Sequence, residues 1–307
     1  MLTIFTPTYN RAKLLSNLYK SLQQQTRKDF EWIIVDDAST DNTQSVIGKF
    51  IEEKNDFNII SLKQSHGGKH RAINLGVTYA NFEWFFIVDS DDVLMDDAVE
   101  WIEKNILEAE KEKRLCGISG TKVLKTGNRM DGELLVDKSG YRDLSIYESY
   151  KINGSGDMAE IWKTKLLRQY PFPDYKGEYM CPESVVWGRM AANGYKIRYF
   201  NKPLYIMEYL DDGLTKTSSI DTVCKNFRYF CDYYSLIMIY GEKKYKMGSF
   251  YNFTRAAHRK KIKFGERAAL LNLKETCYIK MYFLELPVYL LKRFICKAVR
   301  CFKISKK

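Results

Sequence analysis

The sequence predicts an α/β protein: a mainly parallel sheet flanked by helices, with a helical C-terminal extension. Three observations lead there. Short apolar runs alternate with amphipathic helical stretches through the first hundred residues, the pattern of βαβ units. The unusual polar residues come directly after the apolar runs, where ligands of parallel sheets collect. From about residue 217 the chain turns aromatic and helix-rich.

Each element follows from its residues. LTIFTP (2–7) reads as a short apolar strand, and RAKLLSNLYKSLQQQ after it sets Leu14, Leu15, Leu18 and Leu22 at helical spacing. FEWIIVDD (30–37) is a second strand, and STDNTQSVIGKFIEE opens with capping-type residues before turning helical. FNIISL (57–62) is a third strand, followed by GGKHRAINLGVTYA, a glycine turn into a helix. EWFFIVD (83–89) is the fourth. Residues 110–215 are less regular, with strand-like pieces RLCGISGTKVL and KIRYFNKPLYIMEY around a helix expected at 182–193. The expected organisation is one domain over 1–215, in halves 1–100 and 101–215, and a basic helical region over 216–307.

Charge separates these regions. The net charge is +11, yet residues 241–307 hold 18 Lys and Arg against 4 Asp and Glu, so the rest is slightly acidic. That asymmetry points to an anionic partner, membrane or nucleic acid, reached by the C-terminal region. The 7 cysteines contain no CxxC pair and read as reduced cytosolic thiols, and the 3 histidines lack metal-ligand spacing. The N-terminus has neither the basic nor the long apolar segment of a signal peptide. No run reaches about 18 apolar residues, so a spanning helix is not expected.

Four strand ends carry polar groups: TPTYN, DDAST, HGGKH and DSDD. In FFIVDSDDVL, Asp89 and Asp91 stand on alternate residues and aim two carboxylates at one open edge. Such a pair suits a hard divalent cation that completes its shell with water and phosphate. The alternative is a polar turn capping a helix that starts near Asp96. Asp37 can accept the imide N–H of a uracil while Tyr9 lies against the base, or Asp36 and Asp37 can simply cap the next helix. HGGKHR offers glycine amides at a helix N-terminus with Lys69 and Arg71, an anion cradle or a solvated basic turn. A base pocket, a phosphate cradle and a carboxylate pair along one sheet edge describe a nucleotide-diphosphate site.

These stretches together resemble the nucleotide-sugar half of family 2 glycosyltransferases, closely over 2–100 and loosely over 110–215. The resemblance implies a GT-A, Rossmann-type sheet, with 1–100 the nucleotide half and 101–215 the acceptor half. It implies nucleoside contacts from Pro7, Thr8, Tyr9 and Asp37, with Lys69, Arg71 and Ser90 near the nucleotide or its diphosphate. Asp89 and Asp91 match the family's DxD, with Asp91 the direct ligand of Mn²⁺ or Mg²⁺. The family's carboxylate base, often in a Glu-Asp pair, matches Glu183 in YMCPESVVWGRMA, where this sequence has Glu-Ser. Pro182 suits the first helical position, so Glu183 is expected in the first turn, where the helix dipole favours a carboxylate. The bland reading of Glu183 is a charge that only stabilises the helix. Asp157 is a second candidate for the base and, with Trp187, a candidate donor-sugar or acceptor contact; EYLDDGLTK (208–216) is a loop that closes over the donor, one that contacts the acceptor, or a plain loop.

On a helical wheel from Leu291, the residues Leu291, Phe294, Ile295, Ala298 and Phe302 share one face, with Arg293, Lys297, Arg300 and Lys303 opposite. This suits a helix lying in an anionic membrane interface, or one docked on the protein's own core. The sequence reading is a metal-dependent, inverting transferase using a nucleoside-diphosphate sugar, UDP-sugar favoured. Its acceptor is a saccharide hydroxyl, lipid-linked in cell-surface polysaccharide assembly, and its expected place is peripheral on the cytoplasmic face of the cell membrane. The alternatives are a non-catalytic nucleotide-sugar or polysaccharide-binding module and a basic nucleic-acid-binding protein. No recognisable nucleic-acid fold accompanies the basic residues, so nucleic acid is not the expected partner.

Overall fold

A computed structural model describes residues 1–124, 138–152, 158–207 and 219–291. Contacts divide the chain into two compact units, Met1–Leu214 and Thr215–Lys307.

In the first unit, β1 (Leu2–Thr8), α1 (Ala12–Gln23), β2 (Phe30–Asp36), α2 (Thr43–Glu52), β3 (Asn58–Lys63), α3 (Lys69–Tyr79) and β4 (Trp84–Ile87) alternate strand and helix. β1 pairs in parallel with β2 and β4, and β2 with β3. β1, β2 and β4 are buried along nearly their whole length, as strands covered on both faces must be, and so they read as continuous apolar runs. Of the two carboxylates in them, Glu31 and Asp36, Glu31 is satisfied by Thr3 Oγ1 at 2.6 Å and by the amide and side chain of Asn81 at 2.8 and 2.6 Å. Pro7, which has no N–H to give, stands beyond the last β1–β4 pair, Phe5 with Ile87.

The second half of this unit is mixed. β5 (Val93–Leu94), α4 (Ala98–Glu110), β6 (Leu115–Leu124), β7 (Tyr141–Leu144), α5 (Ile146–Ile152), β8 (Ala159–Lys163), α6 (Thr164–Gln169), α7 (Ser184–Ala192) and β9 (Lys196–Met207) complete it. β8 enters antiparallel between β4 and β6, and β6 runs parallel to β9, giving the sheet order β3-β2-β1-β4-β8-β6-β9-β5 with β7 on β9. The half of the sheet built from β1 to β4 is thus wholly parallel, and the antiparallel strands lie in the less regular half.

The second unit is helical: α8 (Ile220–Lys225), α9 (Phe227–Tyr240), α10 (Lys243–Arg259), α11 (Arg267–Leu270), α12 (Glu275–Lys280) and a π-helical turn at Met281–Glu285. Its aromatic residues make its own core, with Phe227, Phe230, Tyr234, Phe250, Phe253 and Tyr278 buried together. Ile279, Phe283, Leu284, Val288 and Leu291 are exposed. Among the described residues no helix is long and apolar enough to cross a membrane. The proposed amphipathic face, apart from Leu291, lies outside the described residues.

Candidate active site

The tips of β1 and β2 are stapled to each other. Asn10 Oδ1 accepts from the Thr40 amide at 2.7 Å, and the Asn10 amide donates to Ser39 Oγ at 2.9 Å. Asp36, fully buried, accepts from the Ser39 amide at 2.9 Å and from Gln44, so it organises the DDAST turn. Ala38 within that turn adopts φ 66°, a left-handed conformation that costs a residue with a Cβ.

Asp37 reaches across to the β3–α3 loop. Its Oδ1 accepts from the Gly67 amide at 2.6 Å and Gln64 Nε2 at 2.7 Å, its Oδ2 from the Gly68 amide at 2.9 Å, and His66 Nδ1 lies 3.1 Å from Oδ2. The anion cradled by the glycine amides is therefore the protein's own carboxylate. This corrects the expectation of open amides waiting for a diphosphate, and it leaves Asp37 little capacity for a base imide, since a carboxylate has about four lone-pair positions. Gly68 is required on two counts: its φ is +92°, and a Cβ there would stand 2.0 Å from the Tyr179 carbonyl oxygen. The loop carrying Tyr179 thus rests directly on the glycine turn.

Arg71 makes the second correction. Its Nε and Nη2 donate to Asp174 Oδ1 at 2.8 and 2.5 Å, Nη1 to the carbonyls of Gly67 and Glu178 at 2.6 and 2.9 Å, and Nη2 also to the Tyr175 carbonyl at 3.0 Å. A guanidinium has five N–H donors, and all are engaged. Arg71 clamps the 174–178 loop to the glycine turn, so no donor is left for a phosphate.

Lys69, at the start of α3, ties together two sequence-predicted groups. Its Nζ stands 2.5 Å from Asp89 Oδ1 and 2.8 Å from Glu183 Oε1. The first aspartate of the D-x-D and the candidate base, 94 positions apart, therefore share one ammonium. Burial favours loss of the lysine's proton, but the two carboxylates outweigh it and raise its pKa. Glu183 is the residue before α7, one step outside the expected first turn, and its side chain makes no capping hydrogen bond. The bland reading of Glu183 as a helix-stabilising charge does not describe that contact.

The acidic turn has its own electrostatics. Burial pushes the Asp89 carboxyl up, yet Lys69 and Lys122 bring it below the usual range. Asp91 is raised by burial and then by the neighbouring Asp89 charge. Asp92, 5% exposed, is pushed up to about 7, chiefly by burial, with Lys122 opposing and Asp89 and Asp91 adding. Ser90 is buried between them. These aspartates cap no helix, because α4 begins only at Ala98 with Asp97 before it. Lys122, buried in β6 with its Nζ 4.6 Å from the Tyr205 ring centre, escaped the sequence reading. A lysine inside GISGTKVL was its only signal.

Among the described residues no three His, Cys, Asp or Glu side chains converge as a metal shell. Asp89 and Asp91 offer a partial oxygen shell, which fits Mn²⁺ or Mg²⁺ when further oxygens come from a diphosphate and water. Tyr9 is exposed at the β1 tip, its ring centre 4.7 Å from that of His66, which in turn stacks on Tyr179 at 5.8 Å. This aromatic row was anticipated only at Tyr9. Pro7 and Thr8 line the same strand end, with the Thr8 carbonyl held by the Asp37 amide at 2.9 Å. Trp187 is a third correction: it is 4% exposed and stacks on Trp162 at 3.8 Å, so it packs the interior instead of facing a sugar. Asp157 and the 208–216 loop lie outside the described residues.

Comparison with known proteins decides what this edge belongs to. Residues 3–152, which carry the β1, β2, β3 and β4 tips, match the model of the family described as Glycosyl transferase family 2. Residues 3–152 thus carry a glycosyltransferase family 2 domain. A family relative, the GalNAc(5)-diNAcBac-PP-undecaprenol beta-1,3-glucosyltransferase of Campylobacter jejuni, is 26% identical over 202 residues, 65% of this chain and 61% of that protein. Glycosyltransferase GlyG of Streptococcus pneumoniae is 30% identical over 112 residues, 36% of this chain and 37% of the relative. The chain thus spans less than two thirds of either curated relative. Among solved structures, TarS 1-349 of S. aureus in complex with UDP-GlcNAc superposes with a TM-score of 0.60 at 20% identity, covering 88% of this chain and 78% of that one. The mannosyltransferase PcManGT of Pyrobaculum calidifontis, in complex with GDP-Man and Mn2+, gives 0.54 at 18% identity over 94% and 82% of the two chains. At these identities the structures establish a shared fold, the GT-A fold of this family.

Proposed function

We propose that this family 2 protein transfers a sugar from a nucleoside-diphosphate sugar, a UDP-sugar foremost, to an acceptor hydroxyl with inversion at the anomeric carbon. The observation that carries the reading is the single ammonium of Lys69 between Asp89 and Glu183, which brings the D-x-D and a candidate base within one side chain's reach. In the proposed reaction Glu183 accepts the hydroxyl proton, the acceptor oxygen bonds to the anomeric carbon, and the carbon–oxygen bond to the diphosphate breaks with its electron pair leaving on the nucleotide. One base and one direct displacement imply inversion. Tyr9, with Pro7 and Thr8 beside it, lines the nucleoside side, and Asp37 fixes the loop that floors it. Lys69 faces the diphosphate. Asp91 and Asp89 would hold Mn²⁺ or Mg²⁺, which when bound offsets the charge of the leaving diphosphate.

The acceptor we propose is a lipid-linked saccharide of cell-surface polysaccharide assembly, in line with the undecaprenol-linked substrate named for the Campylobacter relative. In this reading residues 1–215 are the transferase domain, and 216–307 associate with an anionic membrane surface on its cytoplasmic side. The exposed Phe283, Leu284, Val288 and Leu291 and the basic excess after residue 240 support that role.

A thermal-shift screen of UDP- and GDP-sugars with Mn²⁺ tests the donor reading. A UDP-sugar is expected to raise the melting temperature only with metal present, and Asp91→Ala to abolish the rise. A metal-independent rise, or one that survives Asp91→Ala, contradicts it.

A further inference from the structure

We propose that Lys69 is a resident counter-cation that guards the D-x-D, so that a divalent metal enters this site together with the nucleotide diphosphate and not before it. The inference rests on the metal site proposed above and assigns the lysine a role on top of it.

The geometry supplies the argument. A metal ligated by Asp89 must come within about 2.0–2.6 Å of a carboxylate oxygen, the range for Mg²⁺ and Ca²⁺-type hard cations. Asp89 Oδ1 already holds Lys69 Nζ at 2.5 Å, so metal and ammonium would be near neighbours of like charge. Lys122 adds a second positive group, felt by both Asp89 and Asp92. The protein thus meets its own acidic cluster with two lysines, and among the described residues no third ligand stands ready to draw a metal in.

A diphosphate changes this balance. It brings the negative oxygens that a metal requires and an alternative partner for the ammonium. A lysine on its flexible four-carbon stem can leave Asp89 for phosphate oxygens without moving the helix that bears it. The same movement releases Glu183, whose Oε1 Lys69 holds at 2.8 Å while no donor is bound. The base is therefore paired when the site is empty and uncovered when the donor arrives. Arg71 cannot substitute for Lys69 here, because its donors clamp the 174–178 loop.

The test is a direct Mn²⁺ titration of the full chain, read from the free-ion electron paramagnetic resonance signal, with and without UDP. Lys69→Met and Lys69→Gln remove the ammonium and Lys69→Arg retains a cation, with folding checked by circular dichroism. Without UDP, both neutral variants are expected to bind Mn²⁺ at least about tenfold more tightly than the parent, within the range typical of coupled sites. Lys69→Arg is expected to stay close to the parent. With UDP the parent should gain Mn²⁺ affinity and the difference should shrink. Equal or weaker Mn²⁺ binding by the folded neutral variants without UDP overturns the guarding role. If the parent fails to bind Mn²⁺ even with UDP, the metal site itself is refuted and the guard with it.

Discussion

Gly68 carries the sharpest demand of any single residue. Its φ of +92° and the 2.0 Å approach of the Tyr179 carbonyl to a Cβ leave no room for a side chain. Gly68→Ala is expected to cost about 2–4 kcal/mol, combining an unfavourable backbone conformation with a steric clash. A drop of several degrees in melting temperature checks this, whereas Gly177→Ala, with φ +82° but open space around it, should cost less. Arg71 differs in kind. Arg71→Lys retains the charge but cannot reproduce a fork that reaches one carboxylate and three carbonyls. It is expected to lower stability by about 1–2 kcal/mol, as lost hydrogen bonds to a partly exposed loop do, and to lower turnover by misplacing the segment that leads to Glu183. Chemical denaturation and turnover measured together check that pairing. The residues of this site were legible in sequence because chemistry concentrates in motifs. Asp37, Lys69, Asp89 and Glu183 could each be named, but whether an amide or guanidinium is free or already occupied depends on the fold. The same ignorance hid Lys122, which has no motif around it.

At the scale of elements, α3 links the site to the sheet. Gly76 lets the helix rest on Phe5, whose ring would stand 2.3 Å from a Cβ there. His70, on the same helix, is 1% exposed, and its pKa is lowered to about 4 by burial first and by Arg71 second. The unfolded chain therefore takes up a proton near pH 6.5 that the folded chain refuses until near pH 4, so this residue's contribution to stability is complete above pH 6.5 and lost as pH falls. Between pH 7 and pH 5 the loss is expected to be about 1–2 kcal/mol, and His70→Gln should flatten the dependence of unfolding free energy on pH by that amount. A parallel slope in parent and variant contradicts it. The first four strands and three helices were readable because each is a local, periodic run. After residue 110 the strand-like pieces RLCGISGTKVL and KIRYFNKPLYIMEY became β6 and β9, but β7 and β8 were not legible, since β8 inserts between β4 and β6 from far along the chain, and the two-residue β5 is too short to have a period. Antiparallel pairings of that kind are set by distant partners, which no window of sequence contains.

On the scale of the whole molecule, charge and exposed apolar residues coincide in the C-terminal unit. Beside its buried aromatic core, Phe283, Leu284, Val288 and Leu291 remain exposed among the described residues. Removing residues 288–307 is expected to release the protein from liposomes containing anionic lipid while donor hydrolysis in solution continues, and co-sedimentation measures the first directly. The charge asymmetry was plain from the sequence, since it needs only counting, whereas the division between buried and exposed apolar residues required the packing.

Glu183→Gln asks whether this sheet edge is a glycosyl-transfer site with Glu183 as its base. With an accepted UDP-sugar and Mn²⁺, the variant is expected to bind donor as the parent does in calorimetry, yet to transfer sugar at least about 100-fold more slowly, the range of general-base contributions. Parent-like transfer by the folded variant would contradict it.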